Sequence, residues 1–201
     1  MLLNKPESEI IFNNKKYRLN LAYDNILRVF KLQKDSLFSE VEKIALAAKM
    51  LTFNKSRKLS ISDQSQLLVN IFNNFVAGKS NKGTSTQKLF DFEQDAPYIY
   101  AAFMQSYHIN LIKQQGKLDW REFIALFQGL PESTKIREIM EIRGRKMPKP
   151  DKYNAEEIKA LHEAKAFFAL EYTEKEAEES FQQGLDRLAA TLEHKAKRKS
   201  I

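Results

Sequence analysis

The segment Lys88–Phe103, KLFDFEQDAPYIYAAF, places carboxylates at alternate positions: Asp91, Glu93 and Asp95. Acids spaced in this way are the raw material of a calcium loop or of a general acid/base pair. An EF-hand loop needs glycine at its sixth position and glutamate at its twelfth. Counted from Asp91, those positions hold Ala96 and Ala102, so the loop reading fails both tests. A local reading fits better. Asp95 stands just before Ala96 and Pro97, a suitable first helical turn, and acids there meet the positive end of the helix dipole. The expectation is that Asp95 caps a helix and that the three acids do no chemistry.

Other chemistry finds little support. The histidines, His108, His162 and His194, are far apart, and no HExxH pair exists. The absence of cysteine excludes disulfides, thiolate nucleophiles and cysteine-ligated metals. No GxSxG elbow or phosphate-binding glycine loop appears. The expectation is a protein that is not an enzyme, with no cofactor and no metal.

Composition sets further bounds. The 201 residues are 43% hydrophobic and 29% charged, ordinary for a globular chain. No apolar run approaches the ~18 residues of a spanning helix. The segment MLLNKPESEI lacks the apolar core of a signal peptide. A soluble cytoplasmic protein without a membrane partner is expected. The net charge is +7, of which residues 1–78 carry +5, residues 79–88 +3, residues 89–150 +1 and residues 151–201 −2. Spread in this way, the excess reads as solvated lysine. Nucleic-acid binding through Lys79, Lys82, Lys88 and the RGRKMPK segment is the weaker alternative.

The elements that must position these residues are mostly helical. SEIIFNNKKYRLNL reads as a β-hairpin, with strands Ile10–Phe12 and Tyr17–Leu21 around the asparagines. YDNILRVFKLQKD follows as a helix, with Ile26, Leu27, Phe30 and Val29 as its apolar face. A second helix opens at Ser39, where SEVE is a capping box; its stripe is Val41, Ile44, Ala48 and Leu51. A third starts near Ser62, carries Leu67, Leu68, Ile71, Phe72 and Phe75, and stops at Gly78.

GKSNKGTSTQK, Gly78–Lys88, has no hydrophobic residue and reads as a flexible linker. Beyond it, Ile99, Tyr100, Phe103, Met104 and Tyr107 recur at helical spacing. A helix from Asp119 to Gly129 carries Trp120, Phe123, Ile124 and Phe127, and another starts at Pro131 and closes at Gly144. A second break, RGRKMPKPDKYN, precedes a helix capped by Asn154 with Glu157. Phe181, Leu185, Leu188 and Leu192 then repeat at coiled-coil spacing over barely two heptads. The fold class expected is mainly α: a short N-terminal β-hairpin, small helical bundles and a long C-terminal helix. The units expected are 1–77, a linker at 78–88, a compact helical unit at 89–147, and a linker with helical tail at 148–201.

Several stretches together resemble a known family. DFEQDA at Asp91–Ala96, Tyr100 with Phe103, QGKL at Gln115–Leu118 with Trp120, LFQGL at Leu126–Leu130 and Ile142–Arg143 follow its motifs in order. Tyr23–Leu32 matches its N-terminal half, and the likeness spans roughly residues 8–170. These motifs resemble a tail protein family of Gram-positive siphophages and prophages, encoded beside the tape-measure protein. The family carries acids where this chain has Lys113, Gln114 and Gln115, so its local charge does not transfer. The resemblance implies a tail assembly chaperone in the bacterial host cytoplasm. Its client would be the tape-measure protein, with the tail-tube protein and self-association as further contacts. A minor tail or connector subunit retained in the virion is the alternative. Phe92, Tyr98 and Trp120 are the candidate partner anchors, because aromatic residues dominate interface energetics.

Overall fold

A computed structural model describes residues 7–53, 55–77 and 88–171. The linker at 78–87 and the heptad pattern at 181–192 lie outside the described residues. The fold is mainly helical, as the periodicity predicts: a hairpin, β1 (Glu9–Phe12) and β2 (Lys15–Arg18), precedes seven α-helices among the described residues. The helices are α1 (Tyr23–Lys34), α2 (Glu40–Leu51), α3 (Ile61–Ile71), α4 (Ala96–Tyr107), α5 (Trp120–Gln128), α6 (Lys135–Gly144) and α7 (Ala155–Phe167).

Local chemistry explains most boundaries. Asn13 and Asn14 both take positive φ, 47° and 55°, which a two-residue turn between right-twisted strands requires. Phe12 pairs with Lys15 across them. Ser39 caps α2 in a reciprocal box with Glu42. Ser60 caps α3 by accepting from the Asp63 N–H. Asp119 caps α5, and Gly129 ends it. Other local expectations differ. Val41 is 55% exposed, because α2 turns Lys43, Ala47 and Leu51 inward instead, with the Lys43 ammonium reaching Glu40. Helix α6 begins at Lys135 and not at Pro131, since Pro131–Thr134 closes a separate turn in which both Thr134 N–H and Oγ1 bond the Pro131 carbonyl. Strand β2 ends at Arg18 instead of running to Leu21: the Leu19 N–H still bonds the Ser8 carbonyl, but the Asn20 N–H donates to Leu51 and Leu21 takes another partner.

That partner is the central segment. The Trp120 N–H donates to the Leu21 carbonyl at 2.7 Å, and the Tyr23 N–H to Leu118 at 2.9 Å. The first three side chains of α1 then pin it. The Tyr23 hydroxyl donates to the Leu111 carbonyl at 2.7 Å, Asp24 accepts from the Gly116 N–H at 2.7 Å, and Asn25 donates to the carbonyls of Asn20 and Met50. Gly116 has φ +71°, a conformation L side chains rarely adopt. Rings from both segments complete the core: Tyr23 stacks on Phe123 at 4.8 Å, and Phe103 on Phe123 at 5.2 Å. Where the sequence suggested separate units at 1–77 and 89–147, residues up to Gly144 form one compact unit with one core. Each half presents an apolar face too small to bury alone, so they bury each other.

The second unit begins at Arg145. In it the Asn154 side chain makes no cap bond to α7. It donates to Lys149 O and accepts from the Asp151 N–H, while Glu157 receives Arg145 at 3.0 Å. Helix α7 ends at Phe167, and a longer C-terminal helix would lie outside the described residues.

Candidate functional site

The apolar residues of α1 occupy two adjacent faces. Ile26 and Val29 are fully buried, whereas Leu27 and Phe30 are half-buried and packed on the edge of the core. Positions 27, 30, 31 and 34 recur at helical spacing and form one wall of an open trough. Opposite runs the irregular segment from Lys88 to Glu93, bringing Phe90 and Phe92. This lobe has a volume of about 630 Å³. A second lobe of about 390 Å³ continues along α1 toward Tyr100 and Ile112 and shares Leu27, Arg28 and Phe92 with the first.

The three carboxylates hold the far wall in place. Asp91 Oδ1 accepts from the N–H groups of Glu93 and Gln94, at 2.8 and 3.1 Å. Its Oδ2 meets Lys88 Nζ at 2.8 Å and Lys34 Nζ at 3.3 Å. Burial pushes the Asp91 carboxyl up, but the Lys88 hydrogen bond and the Gln94 and Glu93 N–H groups outweigh it, so the group is held well below the ordinary carboxylate range. Glu93 pairs with Lys31, and that hydrogen bond raises the Lys31 ammonium above its usual value. Asp95 turns the other way. It is 1% exposed, accepts from the Asp91 N–H, and accepts from both terminal Arg143 guanidinium nitrogens, at 2.6 and 2.9 Å. Arg143 also donates to the Leu89 carbonyl at 2.9 Å. The acids therefore fasten one segment to α1 on one side and to α6 on the other.

This revises the capping expectation. Asp95 occupies the N-cap position of α4, but its side chain makes no cap bond. A buried carboxylate facing a guanidinium gains more from a two-pronged ionic contact than from one backbone N–H.

The candidate anchors separate. Phe92 is half-buried and lines both lobes, with its ring 5.7 Å from Trp120 and 5.8 Å from Phe123. Tyr98 is half-buried against the core and lines neither lobe. Trp120 is 4% exposed, and its indole N–H donates to the Val76 carbonyl at 3.0 Å, so it is a core residue and no surface anchor. It lies directly beneath the trough, 5.6 Å from Phe30. Leu27, Phe30 and Phe90 are the trough residues that sequence reasoning missed as contact candidates. For Leu27 and Phe30 the one signal was an apolar face on α1 wider than a single stripe.

Among the described residues, no group of three or more His, Asp or Glu side chains is placed to hold a metal ion. No described helix is long and apolar enough to cross a membrane.

The family model described as Bacteriophage Gp15 protein matches residues 7–170. No curated protein and no solved structure matches the chain.

Proposed function

Because the chain belongs to the Bacteriophage Gp15 protein family, we propose that it acts in phage tail morphogenesis, as a non-enzymatic assembly chaperone for the tape-measure protein. Family membership supports the phage setting. The observation that carries the chaperone reading is the trough along α1, whose floor is four half-buried apolar side chains on a single core. Grooves of this kind receive the apolar face of an amphipathic helix. A long helical client would engage many copies weakly, and avidity would make the coat stable until tube subunits displace it. The work would take place in the host cytoplasm, with the tail-tube protein and other copies of this chain as further contacts.

The test is co-expression with the neighbouring tape-measure protein, followed by size-exclusion chromatography with light scattering. Co-elution with several copies per client is the expected result. Separate peaks with an insoluble client would remove the reading. Deleting residues 89–150 would dismantle the core they share with residues 7–77, so point variants in the trough are the proper control. If mass spectrometry finds the protein in purified virions, the minor tail or connector reading replaces the chaperone. Nucleic-acid binding predicts a steep loss of affinity with salt. It is the weaker reading, because Asp91 and Glu93 sit among the cations Lys31, Lys34 and Lys88.

A further inference from the structure

The trough has a length, a floor and a charge, and together they define an occupant. Its two lobes follow α1 from Tyr23 to Lys34. At about 1.5 Å per residue that is roughly 16 Å, or about three turns of a second helix lying alongside. The floor of the larger lobe is Leu27, Phe30, Phe90 and Phe92, each packed on the core by one side only. Along the two lobes stand Arg28, Lys31, Lys34 and Lys88 against three acids, Asp24, Asp91 and Glu93, an excess of one positive charge. Lys31 and Glu93 are largely exposed, so a partner carboxylate can share the Lys31 ammonium without desolvating it. In sequence, residues 78–87, GKSNKGTSTQ, contain no hydrophobic side chain to match four apolar ones.

We propose that this trough binds an amphipathic helix of a partner protein, with apolar side chains at i, i+3 or i+4, and i+7 on one face and carboxylates flanking them. The inference names the client surface that the chaperone reading requires, and it rests on that reading for the client's identity. The apolar stripe covers the exposed sides of Leu27, Phe30, Phe90 and Phe92. The flanking carboxylates set orientation and speed the encounter, in a manner weakened by salt. A phosphate backbone fits less well, because Asp91 and Glu93 would face it.

Trp120 supplies the readout. It is the chain's single tryptophan, and its ring lies 5.6 Å from Phe30 and 5.7 Å from Phe92, directly under the floor. The full-length protein is titrated with two tryptophan-free synthetic helical peptides of about 18 residues, following Trp120 emission. Both peptides carry the same leucine stripe; one is flanked by glutamate and the other by lysine. The glutamate peptide shifts the emission and binds about tenfold more tightly than the lysine peptide, an advantage that shrinks as salt rises. Lys31→Ala with Lys34→Ala weakens the glutamate peptide about fivefold while circular dichroism shows the chain still folded. Leu27→Asp abolishes binding of both.

Equal affinity for the two peptides, no binding of either, or binding undiminished in the lysine double variant overturns the proposal. A DNA oligonucleotide that displaces the glutamate peptide also overturns it, in favour of nucleic acid. Concentration-dependent dimers lost in Leu27→Asp reassign the trough to self-association. Tape-measure co-purification that survives both sets of variants removes the trough as the client site and leaves the chaperone reading standing. Peptide binding without any tape-measure co-purification does the reverse.

Discussion

Glu93 and Asp95 lie two residues apart in one segment, and each meets a cation. The Asp95–Arg143 pair is 1% and 6% exposed at its side chains, the Glu93–Lys31 pair 63% and 70%. The chemistry is the same and the consequences differ. In the buried pair, water cannot replace a missing partner, so each ion depends on the other. In the exposed pair, water or a visiting side chain substitutes at little cost. The segment is therefore anchored by Asp95 at its α6 end, while Glu93 is exchangeable at its α1 end.

The largest effect expected from this contrast is at Arg143. Arg143→Met strands the Asp95 carboxylate in the core and costs about 3–5 kcal/mol in urea unfolding. A cost below about 1 kcal/mol would mean that water reaches the pair and that the contrast is false. Next is Trp120→Phe, which keeps the ring packing but removes the indole hydrogen bond to the Val76 carbonyl. It should cost about 1–3 kcal/mol, and a neutral result would place Trp120 at the surface after all. Ser39→Ala removes one half of the α2 capping box and should cost about 1 kcal/mol, with loss of helicity confined to α2 by hydrogen exchange.

Asp91 sharpens the comparison through pH. Its folded-state value is depressed, so its stabilising contribution is complete above the unfolded carboxylate value of about 4 and is lost as pH falls through that value toward the folded one. Glu42 in the capping box adds to the same acid limb, because Ser39 also depresses it. Asp91→Asn should flatten the fall in melting temperature between neutral and acid pH; an unchanged slope would show that Lys88 does not engage it. The smallest effect belongs to Glu93→Gln, which should change stability by less than about 1 kcal/mol. A larger loss would make the exposed pair structural too.

The elements whose ends depend on side chains a few residues away were readable in advance. Asn13–Asn14, the Ser39–Glu42 box, and the Asp119 and Gly129 ends of α5 all follow from chemistry within one turn of chain. The candidate site was readable only in part. Phe92 was recognised, but as one of three equivalent aromatics, although Trp120 is its buried support and Tyr98 is elsewhere. Periodicity shows which side of a helix is apolar; it does not show how much of that side a neighbour covers. On α1 the neighbours cover Ile26 and Val29 and stop short of Leu27 and Phe30.

Long-range partners mark the same division. From residue order alone follow the mainly helical class, the hairpin, most helix ends and the family resemblance, because each depends on short stretches read one at a time. That residues 7–77 and 88–144 share a core, that Asp95 abandons its cap for Arg143 48 positions away, and that Leu27 meets Phe92 across a trough all required the folded chain. The reason is energetic. A cap or turn competes only with water, whereas a buried carboxylate or a half-covered ring settles where the summed packing of distant segments is best, and that sum exists only once those segments meet.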